Sequence, residues 1–243
     1  MKVVAIIQAR MGSTRLPGKV LMDLAGEPML ARVYERAARA KSVDKVIVAT
    51  SDIAGDDSIA ELCSARAWLC FRGSENDVLD RYYQAAKIHR ADIVVRITAD
   101  CPLIEPLIID KVIKAFLERN PKIDYASNIL LKRTFPRGLD TEVLRFDTLE
   151  RIWKEDQDLP RREHVTAYIH QQPELFNIYG VVNYKDYSYM RWTVDTIEDL
   201  NFVRKVYKYF HSNNFNWKDV LSLLEKHSEW LEINRHIKQK IIK

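Results

Sequence analysis

Three cations, two hydroxyls and two glycines crowd into the stretch Ala9-Arg10-Met11-Gly12-Ser13-Thr14-Arg15-Leu16-Pro17-Gly18-Lys19. Arg10, Arg15 and Lys19 bring positive charge, Ser13 a hydroxyl, and Gly12 and Gly18 let the backbone come close to a ligand. Backbone N–H groups together with Arg and Lys suit a polyphosphate, because charge-assisted hydrogen bonds to its oxygens are short and strong. The stretch is not a Walker A loop: Gly12 and Gly18 enclose five residues, and Val20 stands where a Mg²⁺-holding hydroxyl would follow the lysine. No GxGxxG fingerprint is present either. The bland alternative is a basic surface loop.

Two acids at predicted strand ends complement those cations. Asp100, in Thr98-Ala99-Asp100-Cys101-Pro102, is read either as a turn or cap residue or as a ligand for a divalent ion. Mg²⁺ is usually held by one or two carboxylates plus phosphate oxygens. Asp195, in Met190-Arg191-Trp192-Thr193-Val194-Asp195-Thr196, repeats the pattern, and Thr196 with Asp199 forms a capping arrangement for the next helix. Asp156-Gln157-Asp158, the single DxD, follows a predicted helix and reads as a cap. Phe135-Pro136-Arg137-Gly138-Leu139-Asp140-Thr141-Glu142 gathers Arg137, Asp140 and Glu142 at a turn suited to an anionic, hydroxylated substrate. His164, in Arg161-Arg162-Glu163-His164-Val165, is either a packed helix-start residue or a substrate contact.

The elements that must carry these residues follow from hydrophobic period. Lys2–Gln8, Lys45–Thr50, Ala67–Phe71 and Asp92–Thr98 are short runs that read as strands, the apolar ones buried on both faces. Between and after them, Pro28–Lys41, Asp57–Ala65, Asp77–Arg90 and Pro106–Arg119 carry helical spacing, the last with proline in its first turn, where a missing N–H costs nothing. Four strand–helix alternations predict a parallel sheet with helices on both faces. The loop 9–19 then lies at the carboxyl end of a buried strand, where open α/β sheets bind ligands. Beyond Asn120 the expected strands are Asp124–Asn128, Gly138–Leu144, Phe176–Val182 and Arg191–Val194, the last a further buried strand of the sheet. Helices are expected at Phe146–Glu155, Glu163–Gln171, Ile197–Tyr209 and Trp217–Glu225. The prediction is one α/β domain over residues 1–243, with 124–190 as a small substrate-binding or dimerisation insertion.

Composition bounds the partners. The chain has 243 residues, 47% hydrophobic and 30% charged, with Lys+Arg 38 against Asp+Glu 34 for a formal charge of +4. That is ordinary globular composition, and the mild charge gives no expectation of nucleic acid as a partner. No apolar run approaches the roughly 20 residues of a membrane span. The residues Met1–Ile7 are too few for a signal-peptide core. Cys63, Cys70 and Cys101 match no zinc spacing and fit a reducing compartment, so a cytoplasmic protein is expected.

In order along the chain, the loop Ala9–Lys19 and the blocks Gly73-Ser74-Glu75-Asn76-Asp77-Val78-Leu79-Asp80-Arg81-Tyr82, Arg96–Pro102, Gly138–Val143, Arg162–Val165 and Arg191–Leu200 resemble the cytidylyltransferases that activate acidic sugars. The 3-deoxy-manno-octulosonate and acylneuraminate enzymes belong to that family, and the likeness is strongest to its spore-coat polysaccharide branch (SpsF). It spans about Lys2 to Tyr209. The resemblance implies a Rossmann-like three-layer nucleotidyltransferase fold, CTP and Mg²⁺, an acidic sugar acceptor and a homodimer. By position it implies that Ala9, Arg10, Gly12, Ser13, Arg15 and Lys19 hold the triphosphate. Gly73, Ser74 and Asp77 would lie near the nucleoside, and Asp100 and Asp195 would hold the metal. Arg137 or Arg191 would pair with a substrate carboxylate, with Asp140 nearby and His164 or Glu142 orienting hydroxyls. Thr98-Ala99-Asp100 departs from the Gln-Gly-Asp of the octulosonate enzymes, so sugar identity does not transfer. The rival readings are a metal-dependent glycosyltransferase using a nucleotide sugar, a nucleotide-binding module without catalysis, and cytidylyl transfer to a non-sugar acceptor.

Overall fold

A computed structural model describes residues 1–239. The chain runs β1 (Val3–Gln8), α1 (Met29–Ala38), β2 (Lys45–Ser51), α2 (Asp57–Ala65), β3 (Leu69–Gly73), α3 (Val78–Ile88), β4 (Ile93–Thr98) and α4 (Pro106–Leu117). Then come β5 (Tyr125–Ser127), β6 (Glu142–Arg145), α5 (Phe146–Glu155), α6 (Leu159–Arg162), α7 (Ala167–Gln171), β7 (Ile178–Gly180), α8 (Ile197–Phe210) and α9 (Trp217–Lys226). The seven strands form one sheet in the order β3-β2-β1-β4-β6-β5-β7. Pairings β1–β2, β2–β3, β1–β4 and β5–β7 are parallel, and β6 runs antiparallel to both its neighbours. This is the expected mostly parallel α/β sheet with helices on both faces. Residues 124–190 supply β5, β6 and β7 to that same sheet.

Alternation along β1 explains the two cores. Val3, Ala5 and Ile7 face one way, against α1, α4, α8 and α9 residues such as Leu30, Ile109, Val203 and Leu224. Val4 and Ile6 face the other, against Leu79 and Tyr82 of α3, Leu149 of α5 and Ile169 of α7. Both faces of the central strands are dry, which is why they read as unbroken apolar runs. Burying each such Leu, Ile or Val contributes about 1.5–3 kcal/mol, so β1 anchors the register of everything at its carboxyl end.

Three expectations shift. The third strand begins at Leu69, because Ala67 leaves α2 in a left-handed turn (φ 52°), and it therefore ends at Gly73. The helix expected over Glu163–Gln171 begins only at Ala167, since Val165 also takes a positive φ of 39° and breaks the helical path. Arg191–Val194 is not a strand of the sheet. It makes one isolated bridge, Arg137 with Arg191, and its backbone groups bond across two loops instead.

Candidate active site

Chain order reverses at β1, with β2 and β3 to one side and β4 to the other. Such a switch point leaves a crevice at the strands' carboxyl ends. The loop 9–19 lies there. Its entrance is pinned by Asp56, whose Oδ1 accepts from the Met11 N–H at 2.7 Å and whose Oδ2 accepts from Thr50 and Ser51 at the end of β2. Burial would raise the Asp56 pKa, but these donors outweigh it and hold the carboxylate charged. The loop closes on itself: Gly18 N–H donates to Met11 O at 3.0 Å, and Ser13 Oγ accepts from Leu16 N–H at 3.3 Å. Gly18 sits at φ 69°, a left-handed conformation that glycine adopts without penalty, and turns the chain into a short 3-10 helix from Lys19 to Leu21. That turn sends Lys19 inward while Arg10, Gly12 and Arg15 stay toward solvent. Ala9 is buried at the end of β1, its N–H on Ala49 O at 3.0 Å.

Lys19 is the hub. Its Nζ donates to Asp100 Oδ2 at 2.8 Å, to Asp195 Oδ1 at 2.9 Å and to Val194 O at 2.7 Å. Burial alone would lower the Lys19 pKa; the two carboxylates outweigh it and raise the value above the ordinary 10.5. Asp100 is the mirror image, pushed up by burial but drawn below its ordinary 3.8 by the Lys19 ammonium. Arg15 Nη2 reaches Asp195 Oδ2 at 3.0 Å from a more exposed position. Residues distant in sequence thus meet around one ammonium.

The failed strand explains the convergence. Arg137 N–H donates to Met190 O, Trp192 N–H returns to Arg137 O, and Val194 N–H donates to Asp100 O at 2.8 Å. The segment crosses from the 137 turn to the end of β4 and delivers Asp195 beside Asp100. Gly138 (φ 101°) is needed at that crossing, because a Cβ there would lie 2.6 Å from Thr193 N and Trp192 C.

Other expected residues have other company. Arg191 is buried and committed, with Nε on Asp199 Oδ1 at 2.8 Å and Nη2 on Asp195 Oδ2 at 2.7 Å. It orients Asp195 and is not free for a substrate carboxylate. Glu142 is enclosed at 1% exposure, its Oε1 bound by Arg96 and its Oε2 by Tyr125 Oη at 2.6 Å and Thr166 Oγ1 at 2.5 Å. Both oxygens are spent, so it does not orient a substrate hydroxyl. Asp140 holds Arg133 through two bonds of 2.5 and 2.9 Å. Asp77 caps α3 through Asp80 N–H at 2.8 Å and pairs with Arg162 at 2.8 Å, so its carboxylate is structural. Ser74 Oγ accepts from Asp77 N–H at 3.1 Å, beside Gly73 at the end of β3. Arg10 pairs with Glu163 at 2.7 Å, which ties the half-buried His164 turn to the loop 9–19. Arg137 has no ion-pair partner among the described residues, and it lines a cavity of about 330 Å³ with Tyr189, Met190 and Arg235. The DxD is occupied structurally: Asp156 is buried and binds Arg161 at 2.5 Å. Asp56 and Glu163 were not expected at the site. Neither carries a local signal, since each acts through a distant partner.

The sequence model of the family described as cytidylyltransferase matches residues 4–240. The chain belongs to the cytidylyltransferase family. It is a nucleotidyltransferase, and its loop 9–19 with Asp100 and Asp195 is the candidate active site of this cytidylyltransferase. The spore coat polysaccharide biosynthesis protein SpsF of Bacillus subtilis is 34% identical over 217 residues, 85% of this chain and 86% of that protein. The 3-deoxy-manno-octulosonate cytidylyltransferase of Geobacter sulfurreducens is 44% identical over 126 residues, 51% of this chain and 48% of that one. A cytidylyltransferase structure from Leptospira borgpetersenii superposes with TM-score 0.91 at 35% identity, covering 100% of both chains. A CMP:2-keto-3-deoxy-manno-octonic acid synthetase complexed with CTP superposes with TM-score 0.67 at 22% identity, over 86% of this chain and 99% of that one, and shares the fold. No helix among the described residues is long and apolar enough to cross a membrane.

Proposed function

We propose that this cytidylyltransferase transfers CMP from CTP to the hydroxyl of an acidic 2-keto sugar, with release of pyrophosphate, in surface polysaccharide biosynthesis. One observation carries this reading: Lys19 is drawn between Asp100 and Asp195, with Arg15 alongside, at the mouth of the glycine-containing loop. In the transfer the acceptor oxygen bonds to the α-phosphorus, the bond from that phosphorus to the pyrophosphate oxygen breaks, and the hydroxyl proton passes to water. Such a reaction needs little covalent help; positioning and charge neutralisation dominate. Lys19 and Arg15 take up the charge of the departing pyrophosphate, and Arg10 lies nearer the α-phosphate. The unpaired guanidinium of Arg137 suits the planar carboxylate of the acceptor.

The donor set fits Mg²⁺. Among the described residues no cluster of three or more His, Cys, Asp or Glu forms a metal cage. Two hard carboxylates already converging on one cation are what Mg²⁺ takes when phosphate oxygens complete its shell. Asp100 and Asp195 would hold it, Lys19 turning to the phosphates. Held by Asp100 and Asp195, Mg²⁺ would supply positive charge beside the phosphates and would lower the pKa of the attacking hydroxyl.

The test is a matrix of nucleoside triphosphates against 2-keto sugar acids with pyrophosphate readout. Release with CTP and at least one sugar acid is expected. Turnover of a nucleotide sugar in place of CTP would replace the reading with glycosyl transfer, and CTP binding without turnover of any acceptor would leave a binding module.

A further inference from the structure

Asp199 does more than its place at the start of α8 requires. To cap that helix it needs only Oδ2, which accepts from the Thr196 N–H at 3.1 Å. The same oxygen also accepts from the Asp195 N–H at 2.9 Å and from Arg191 Nη2 at 3.0 Å. Oδ1 is spent on Arg191 Nε at 2.8 Å and on Asn234 Nδ2 at 2.9 Å. Asp199 is fully enclosed, so these bonds are made away from water, where they are strongest. Capping accounts for one of them; the others tie Asp195, Arg191 and the C-terminal segment together.

The short 3-10 helix Ser228–Ile233 packs on α8 and α9, with Lys205 Nζ 4.9 Å above the Trp230 ring. Asn234 follows it and is buried, and its Nδ2 donates twice, to Asp199 Oδ1 and to the Arg191 carbonyl, each at 2.9 Å. A turn closed by the Ile237 N–H on Asn234 O at 3.1 Å leads on to Gln239, whose Oε1 accepts from Arg191 Nη1 at 2.6 Å. Gln239 is a neutral acceptor, so it fixes the guanidinium without competing for its charge. With Nε and Nη1 held in this way, Arg191 presents Nη2 to Asp195 Oδ2 at 2.7 Å. Asp195 Oδ1 is then turned to the Lys19 ammonium at 2.9 Å, the side on which Asp100 lies. A planar guanidinium whose three nitrogens are all engaged has one orientation, and it passes that orientation to the carboxylate it binds.

We propose that Asn234, together with Gln239, is a positioning residue for the transfer: through Asp199 and Arg191 it fixes the direction of the Asp195 carboxylate toward the ion and phosphates that Asp195 serves. Both act through other side chains and not on the reacting atoms. The partners of a metal-holding group set its angle and its basicity, so their loss is felt at the metal. The segment 234–239 thereby belongs to the working site, although it lies at the opposite end of the chain from the loop 9–19. The inference rests on the assignment of Asp195 to Mg²⁺ and extends it to the residues that aim that carboxylate.

The experiment measures the CTP Kd by calorimetry in Mg²⁺ and in EDTA, so that the gain in affinity from the ion is read separately from the nucleotide's own. It compares wild type, Asn234→Ala, Asn234→Asp, Gln239→Ala and Asp195→Asn, with Asn234→Ala also placed in the Asp195→Asn chain. Asn234→Asp keeps the side chain's volume and exchanges its donor for an acceptor facing Asp199. In both Asn234 variants the Mg²⁺-dependent gain is expected to shrink by about 10- to 100-fold, while the Kd in EDTA stays at the wild-type value. Gln239→Ala moves the gain in the same direction by less. The Mg²⁺ concentration for half-maximal pyrophosphate release rises in step. In the Asp195→Asn chain Asn234→Ala changes nothing further, because its effect passes through the carboxylate already removed. A wild-type gain in the Asn234 variants, with only the urea midpoint lowered, overturns the positioning role in favour of packing. So does a loss that is equal in Mg²⁺ and EDTA, or one that persists in the Asp195→Asn chain. If the Asn234 variants do not fold, the exposed Gln239 decides: an unchanged gain in Gln239→Ala overturns the proposal. A wild type without any gain, or an Asp195→Asn chain that keeps it, overturns the metal assignment and this inference with it. A gain that depends on Asn234 in a protein releasing no pyrophosphate upholds the positioning role and overturns only the transfer reading.

Discussion

Two ionic clusters flank β4, and they are built to different ends. On the β6 side, Glu142 is closed in by Arg96, Tyr125, Thr166 and His170, with no oxygen left over. Beyond the carboxyl end of β4, Asp100 and Asp195 share Lys19 and, through Asp195, the more exposed Arg15. Both clusters pair acids with bases, and the neighbouring cations hold Glu142 and Asp100 ionised. The difference is replaceability. The partners of Glu142 belong to β4, β5 and α7 with its N-cap and are buried or half-buried, whereas Lys19 and Arg15 sit on a loop at a crevice, where the proposed role has them exchange carboxylates for phosphates. A saturated cluster supports structure; one whose cations can be traded for a ligand's charges supports binding.

Mutation should separate the two clusters sharply. Glu142→Gln leaves Arg96 buried without its counter-charge, so a loss of about 3–5 kcal/mol in urea-unfolding stability is expected. If stability were untouched while only the KM of the acceptor rose, the division drawn here would fail. Asp100→Asn should do the reverse, cutting pyrophosphate release by about 10²–10³-fold while the urea midpoint stays near wild type. Near-wild-type turnover would remove Asp100 from the metal role. Lys19→Ala should weaken CTP by about 1.5–3 kcal/mol, read by calorimetric titration, and an unchanged Kd would refute the phosphate assignment. Arg137→Ala, the mildest, should raise the KM of the sugar acid by about tenfold, roughly one charge-assisted bond, and that of CTP less.

Acid sharpens the same contrast. Burial works to raise the Glu142 pKa, but Arg96 and the surrounding donors win and hold it well below its ordinary 4.5. A depressed carboxylate contributes stability that is complete above its unfolded pKa and is lost as pH falls toward the folded one. Urea midpoints should therefore hold from neutrality to about pH 5 and then fall, and Glu142→Gln should flatten that fall. Lys19 has the opposite sign: its raised pKa contributes stability present below 10.5 and lost as pH climbs through the folded value.

Much of this frame was legible residue by residue. The four alternations from Lys2 to Arg119 announced themselves because strands dry on both faces must be continuously apolar. The loop 9–19 and Asp100 stood out by residue type and by position beyond strand ends, and Asp195 by type, after a segment that reads as a strand and is not one. Glu142 and Arg191 misled for the same reason they looked attractive: a charged residue near a glycine turn reads alike whether its partner is a substrate or another side chain.

Local pattern by itself determined the alternating strands and helices from Lys2 to Arg119, that the sheet is mostly parallel, and that a glycine- and cation-rich loop follows the first strand. Those features depend on hydrophobic period and on residue chemistry within a few positions. Only the tertiary structure decided that Asp195 meets Asp100 around Lys19, that Arg191–Val194 crosses between loops instead of joining the sheet, and which arginines keep donors to spare. Pairing is a matter of three-dimensional distance and burial, and a charge spelled in one dimension carries no record of the partner that will satisfy it.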